Sequence, residues 1–182
     1  MDYQTIRSNR KSFAVQIKDC RLIVRAPLWA TDADIDAFVR KNQKWIETHM
    51  SRAREEQKAA AAVPPMTDAE LHALAQRALE VIPQRVAYYA PRVGVTYRKI
   101  TIRNQRSRWG SCSSNGNLSF NCLLMLAPPE VLDSVVVHEL CHRRYMNHSE
   151  KFYAEVLRVF PAYPECRKWL RENGARLLAG NR

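Results

Sequence analysis

His138-Glu139-Leu140-Cys141-His142 places two imidazoles four residues apart. On a helix that spacing projects both rings from one face, near enough to share a single small cation. Imidazole nitrogen suits Zn²⁺. Glu139 lies about 100° round the helix from His138, beside such a cation rather than on it, where its carboxylate can take a proton from an attacking water. Val131 and Val135 share the stripe of His138 and His142, so the imidazoles point where core-facing residues point. The plain alternative is a pair of helix histidines that pack and find ordinary hydrogen bonds. A third histidine, His148, follows in Met146-Asn147-His148-Ser149. Three neutral ligands with an open fourth position are the pattern of catalytic rather than structural zinc, so one Zn²⁺ per chain is the expected cofactor. Asn147 tolerates the left-handed conformation and predicts how the chain leaves the helix to swing His148 back. Glu155, on the amphipathic segment with Phe152, Val156, Leu157 and Phe160, is the rival third ligand; His148 is favoured.

Cys141 lies inside the motif, but the histidines already supply the ligands and a free cysteine is often a small buried residue. Cys112, Cys122 and Cys166 have no ligand-like spacing and read as core, and Trp109 reads as core for its large apolar area. The five cysteines include no CxxC pair. Met1–Arg7 carries no apolar stretch of the kind a secretory signal needs, and no run approaches the roughly 18–20 apolar residues of a membrane span. The expectation is a cytoplasmic protein with reduced thiols and no membrane partner. With 182 residues and 46% hydrophobic content, the composition is that of a globular chain with room for one domain.

Lys and Arg number 29 against 18 acids, a net charge of +11. No acid falls between Glu80 and Glu130, while Arg85, Arg92, Arg98, Lys99, Arg103, Arg106 and Arg108 all do. Either this is solubility with a few internal ion pairs, or it is a surface for a polyanion or a nucleotide. Arg106 and Arg108 divide the same way: they brace the neighbouring hairpin, or they bind an anionic group of the substrate near the metal.

The elements that must position these groups follow from pattern. Phe13, Val15 and Ile17 alternate with polar residues and Leu22 and Val24 resume the alternation, which predicts an N-terminal β-hairpin ending at Ala26-Pro27. Thr31 or Asp32 caps a helix carrying Ile35, Phe38, Val39, Trp45 and Ile46, running on into a solvated stretch at 51–56. Pro64-Pro65 punctuates the chain. Thr67-Asp68-Ala69-Glu70 forms a capping box for a helix through Leu71, Leu74, Ala75, Ala78, Leu79 and Ile82. Val95, Tyr97, Lys99, Ile100 and Ile102 predict a strand. A second hairpin, 108–112 with 118–122, turns at Asn115-Gly116, and Pro128-Pro129-Glu130 opens the helix of the motif. The class is α+β with a short antiparallel sheet. Residues 1–57 form a hairpin-and-helix sub-region, 58–65 an Ala/Pro linker and 66–182 a catalytic core, together one domain.

Ser107-Arg108-Trp109-Gly110-Ser111-Cys112-Ser113, then Leu118-Ser119-Phe120-Asn121, then Val136-Val137-His138-Glu139-Leu140-Cys141-His142 with Asn147-His148-Ser149 and Phe152-Tyr153, resemble the YgjP-like metallopeptidase family, relatives of the SprT and Wss1-type zinc proteases. Val24-Arg25-Ala26-Pro27 and Lys44-Trp45-Ile46 also look like that family. The resemblance implies a compact zincin-like fold, zinc on His138, His142 and His148, and Glu139 as general base. It further implies that the strand near Leu118–Cys122 lies along the cleft, where it could bind an extended peptide by strand addition. Tyr145 stands where the metzincin pattern has glycine, and no Met-turn is evident.

The leading expectation is a zinc-dependent peptidase acting on a peptide or protein. Tyr145, Tyr153 and Tyr163 lie in the part of the chain that could supply an oxyanion partner. The alternatives are a metal-dependent nucleotide or phosphoanhydride hydrolase using the Arg98–Arg108 segment for phosphate, and a nucleic-acid-associated protein with a secondary metal site.

Overall fold

Alternation of apolar and polar residues builds the first sheet. In the computed structural model, which describes residues 2–180, the chain forms two compact units, Met1–Val63 and Pro64–Arg182. The first opens with β1 (Gln4–Ser8), β2 (Ala14–Lys18) and β3 (Arg21–Pro27). The hairpin of β2 and β3 is antiparallel as predicted, and β1, which the sequence did not signal, pairs parallel to β3 on its other side. Leu22, Val24 and Ala26 turn one face of β3 inward onto Ile35, Val39 and Ile46.

Two helices stand where one was predicted: α1 (Asp32–Lys41) and α2 (Gln43–Ala61). Thr31 caps α1 in a reciprocal box with Asp34. The break is at Asn42, whose side-chain amide donates to the Phe38 carbonyl at 2.8 Å. Its backbone N–H also turns back to that last turn, the local competition by which Asn ends helices. Trp45 is therefore on an outer face, stacked on His49 with ring centroids 4.0 Å apart.

In the second unit Thr67 and Glu70 cap α3 (Asp68–Val93), which ends at Gly94 in the left-handed conformation, φ 72°. Ala78, Ile82, Val86, Ala90 and Val93 form its buried face, while Leu79, predicted on that face, is exposed. The sheet consists of β4 (Ile100–Arg103), β5 (Gly110–Cys112) and β6 (Leu118–Asn121) in the order β4-β6-β5. The expected antiparallel sheet is thus corrected: β5 is antiparallel to β6, but β4 is parallel to it. The predicted strand at 95–99 is also shortened to Ile100 onward. Val95 N–H closes the end of α3 on Ala90 and Arg98 N–H bonds the Gly116 carbonyl, so those groups are taken by turns. Gly116 makes the hairpin turn at φ 82°.

Asn121, fully buried, donates from its amide to the carbonyls of Gln105 at 2.7 Å and Arg108 at 2.9 Å. It accepts from Leu123 N–H, so one side chain ties the loop before β5 to the 3-10 turn Cys122–Leu126. The helix α4 (Pro129–Cys141) begins at the two prolines as predicted and is buried along almost its whole length. It is followed by α5 (Glu150–Val159) and α6 (Tyr163–Ala179). No helix among the described residues is long and apolar enough to cross a membrane.

Candidate metal centre

The last turn of α4 carries His138 and Glu139, and His142 is its C-cap. The chain then folds tightly back: Arg143 N–H bonds the Leu140 carbonyl, and Arg144 and Tyr145 N–H bond that of Cys141. This does what Asn147 was expected to do. Asp19 and Cys20 are the non-glycine residues with positive φ among those described, so Asn147 is not left-handed. Ser149 caps α5, with its hydroxyl accepting from Phe152 N–H, and so holds His148 at the foot of that helix.

The three imidazoles converge. His138 Nε2 stands 3.2 Å from His142 Nε2 and 3.1 Å from His148 Nε2, and the three offer one nitrogen each, all within 4.8 Å of one another. Nitrogens at the Zn–N distance of about 2.0–2.1 Å on a tetrahedron are separated by about 3.3 Å, close to two of these edges. Tautomers make the same point. His142 Nδ1 lies 3.0 Å from the Tyr145 carbonyl, which can only accept, so Nδ1 carries the proton and Nε2 an exposed lone pair. His138 Nδ1 lies 2.8 Å from the Tyr163 hydroxyl; when it donates there, its Nε2 presents a lone pair too. Lone pairs directed at one another at this range suit a shared cation, and the cluster could hold one metal ion.

Burial supports that state. It pulls His138 down to about 3, with His142, His148 and Arg167 adding to the effect, and it lowers His142 as well. Both are thus neutral near pH 7, the form that binds metal. Phe152, fully buried, packs within 5.0 Å of all three rings, centroid to centroid.

Glu139 is 5% exposed and, among the described residues, accepts no hydrogen bond from a side chain or backbone. Burial raises its carboxyl to about 8. Its carboxylate lies against Gly110 of β5: a β-carbon there would stand 2.6 Å from Oε1. A pocket of about 220 Å³ opens beside His138 and Glu139. Trp109 and Gly110, Ser134 and Val135, and Tyr163, Arg167 and Leu170 form its walls. A wider groove of about 950 Å³ in the first unit holds no cluster of metal-binding side chains among the described residues, so volume alone does not mark the site.

Glu155, the rival ligand, is occupied elsewhere: its carboxylate pairs with Arg144 at 3.1 Å and Arg158 at 2.8 Å. Arg106 and Arg108 are exposed, and neither lines the pocket. The hairpin is braced instead by Arg143, which donates to the carbonyls of Thr96 and Ser114. Trp109, half-buried, packs against the core as expected and also forms a wall of the pocket. The cleft strand is corrected as well. Both edges of β6 are taken by β4 and β5, whereas β5, on the sheet's edge, is the strand beside Glu139. Gly110 could have been found from a glycine inside a strand pattern, a mark of close backbone approach. Nothing local to Arg167 marks it.

The family model described as YgjP-like, metallopeptidase domain, matches residues 11–72 and 66–173. No curated protein matches the chain. Among solved structures, the metallopeptidase zymogen of Pyrococcus abyssi abylysin has a TM-score of 0.46 and 19% identity, over 50% of this chain and 94% of that one.

Proposed function

Because the chain belongs to the YgjP-like metallopeptidase family, we propose that it hydrolyses peptide bonds with one zinc ion held by His138, His142 and His148. The observation that carries the reading is the convergence of three imidazole nitrogens, at 3.1 and 3.2 Å from the central one, beside a buried carboxylate without a partner. Zinc, when bound, supplies Lewis acidity that polarises a carbonyl and makes water nucleophilic near neutral pH. Glu139 accepts the proton of the attacking water and passes it to the leaving amine. Burial without a donor disfavours the ionised form of Glu139, and beside the positive charge of a bound zinc Glu139 regains the carboxylate that takes and returns the proton. Tyr163 and the Tyr145 carbonyl orient His138 and His142 through their Nδ1–H groups. Phe152 packs against one side of all three rings, while His148 keeps a face open to solvent. The extended substrate lies along the free edge of β5, antiparallel addition being open to an edge strand.

Elemental analysis of protein purified without chelator, beside His148→Ala and Glu139→Gln, tests the reading. About one zinc per chain is expected in the wild type, less in His148→Ala, and an undiminished amount in an inactive Glu139→Gln. No zinc in the wild type even after reconstitution, or wild-type cleavage by Glu139→Gln, overturns it.

A further inference from the structure

Among the described residues lining the pocket beside His138 and Glu139, Arg167 is the one cation. It stands four residues after Tyr163 on α6, so both side chains project toward the same place. Its guanidinium carbon lies 5.6 Å from the centre of the Tyr153 ring, and its charge reaches His138 and Tyr163. Arg85, Arg144 and Arg158 each pair with a carboxylate, whereas Arg167 pairs with none among the described residues. An exposed arginine without an acid is ordinary on a surface. At the rim of an apolar pocket that begins at a metal centre, it is a recognition group.

The pocket itself is small, about 220 Å³. Trp109, Val135 and Leu170 give it apolar walls. The Ser134 hydroxyl is spent on the Val131 carbonyl at 2.7 Å. The Trp109 indole lies so close to the backbone of α6 that a β-carbon on Gly174 would stand 3.2 Å from Cζ2, which fixes the position of this wall. About 220 Å³ accommodates a single large apolar side chain. The α-carbon bearing that side chain then sits at the mouth, and the next group along the chain falls at the rim, beside Arg167. In an internal residue that group is a neutral amide; in a terminal residue it is a carboxylate, for which a guanidinium fork is the stronger partner.

We propose that the pocket takes the residue after the scissile bond, that this residue is large and apolar, and that Arg167 binds its free carboxylate. The substrates are then peptides with an apolar C-terminal residue, and the reaction removes that residue. The C–N bond breaks, the oxygen of water joins the carbonyl carbon, and a proton goes to the departing amine. This specificity rests on the metallopeptidase reading of the same site.

The test uses the full zinc-loaded chain and two peptides, acetyl-Ala-Ala-Phe and its C-terminal amide. The wild type is expected to favour the free acid in kcat/KM by roughly 10–100-fold, the weight of a charge-assisted hydrogen bond. Arg167→Met is expected to bring that ratio near one, and Arg167→Lys to restore part of it. A ratio near one in the wild type, or one preserved in Arg167→Met because the carboxylate sits on the metal, overturns the assignment. Binding of both peptides to Glu139→Gln and to Glu139→Gln with Arg167→Met, by calorimetry, separates the two readings. If the wild type hydrolyses neither peptide, a preference for the acid that disappears with Arg167 upholds the pocket while the peptidase reading falls. Equal binding of acid and amide overturns the pocket.

Discussion

The Gly110 backbone lies so near the Glu139 carboxylate that a β-carbon would meet Oε1 at 2.6 Å, Cγ at 2.7 Å and Cδ at 2.9 Å. These distances are inside van der Waals contact. Gly110 is not in the left-handed region, so the requirement for glycine here is space and not backbone freedom. The contact sets where the proposed proton acceptor sits, because a side chain 5% exposed has little room to rotate away. Gly110→Ala should push the carboxylate out of place and lower kcat by about 100-fold, the scale of an ångström-sized misplacement. Zinc stoichiometry should be unchanged. Steady-state rates beside elemental analysis check this, and parallel loss of zinc and activity would assign the damage to the fold rather than to Glu139.

Tyr163 and His138 offer a second separable contact. The hydroxyl lies 2.8 Å from Nδ1, and burial raises the phenol to about 12, so it stays protonated. Tyr163→Phe keeps the ring and removes the acceptor, leaving a largely buried Nδ1–H unpaired. Losing the partner of a ligating histidine costs roughly 10–100-fold in metal affinity. Competition against a chromogenic chelator should show zinc bound more weakly by that factor. Unchanged affinity would mean that Phe152 and the helix alone hold the imidazole. His142 allows no such experiment, since its partner is the Tyr145 backbone carbonyl.

The parts of this site legible in sequence are those set by local geometry. Helical repeat alone aligns His138 with His142, Asn115-Gly116 specifies its own turn, and the capping box at Thr67 is complete within four residues. What was not legible depends on pairing at a distance. The strand order β4-β6-β5 removes β6 from the cleft and puts β5 there, and no pattern within either strand encodes which one lies outside. The arginines show the same limit. Arg106 and Arg108 drew attention as neighbours of the hairpin in an acid-free stretch, yet Arg167 lines the pocket because of where α6 docks. Asn42 splits a continuous amphipathic pattern through a single side-chain hydrogen bond, which periodicity does not register.

Arg85 and Asp133 clamp α3 to α4 five residues before His138. Arg85 donates from Nε and from a terminal nitrogen, both at 2.6 Å, and the Tyr89 hydroxyl donates to the same carboxylate at 3.1 Å. Asp133 is 8% exposed. Asp133→Asn keeps the shape, removes the charge, and leaves the guanidinium half-paired. Arg85 retains some contact with water, so the loss should be about 1–3 kcal/mol rather than the full penalty of a buried orphan charge. Urea unfolding should show a lower midpoint at an unchanged slope. Zinc stoichiometry below the transition should match the wild type. A midpoint equal to the wild type would show that apolar packing alone docks the two helices.

Glu155 should give the fold a pH dependence of known sign. Arg158 first, and then Arg144, hold its carboxyl below the ordinary value of 4.5. The neighbouring Cys141 thiol, pushed up to about 12 by burial, stays neutral throughout. With the folded value depressed, the unfolded chain takes the proton first as pH falls. The stability from this group is therefore present above the unfolded value and lost on descent through the folded one. Glu155→Gln removes the titration while the histidines titrate alike in both proteins, so the difference between the two isolates Glu155. Urea unfolding in the presence of chelator should show the wild type more stable near pH 6 and above, with the advantage shrinking steadily toward about pH 3. An advantage constant across that range would mean that Glu155 contributes by packing and by neutral hydrogen bonds, and that Arg144 and Arg158 are held without its charge.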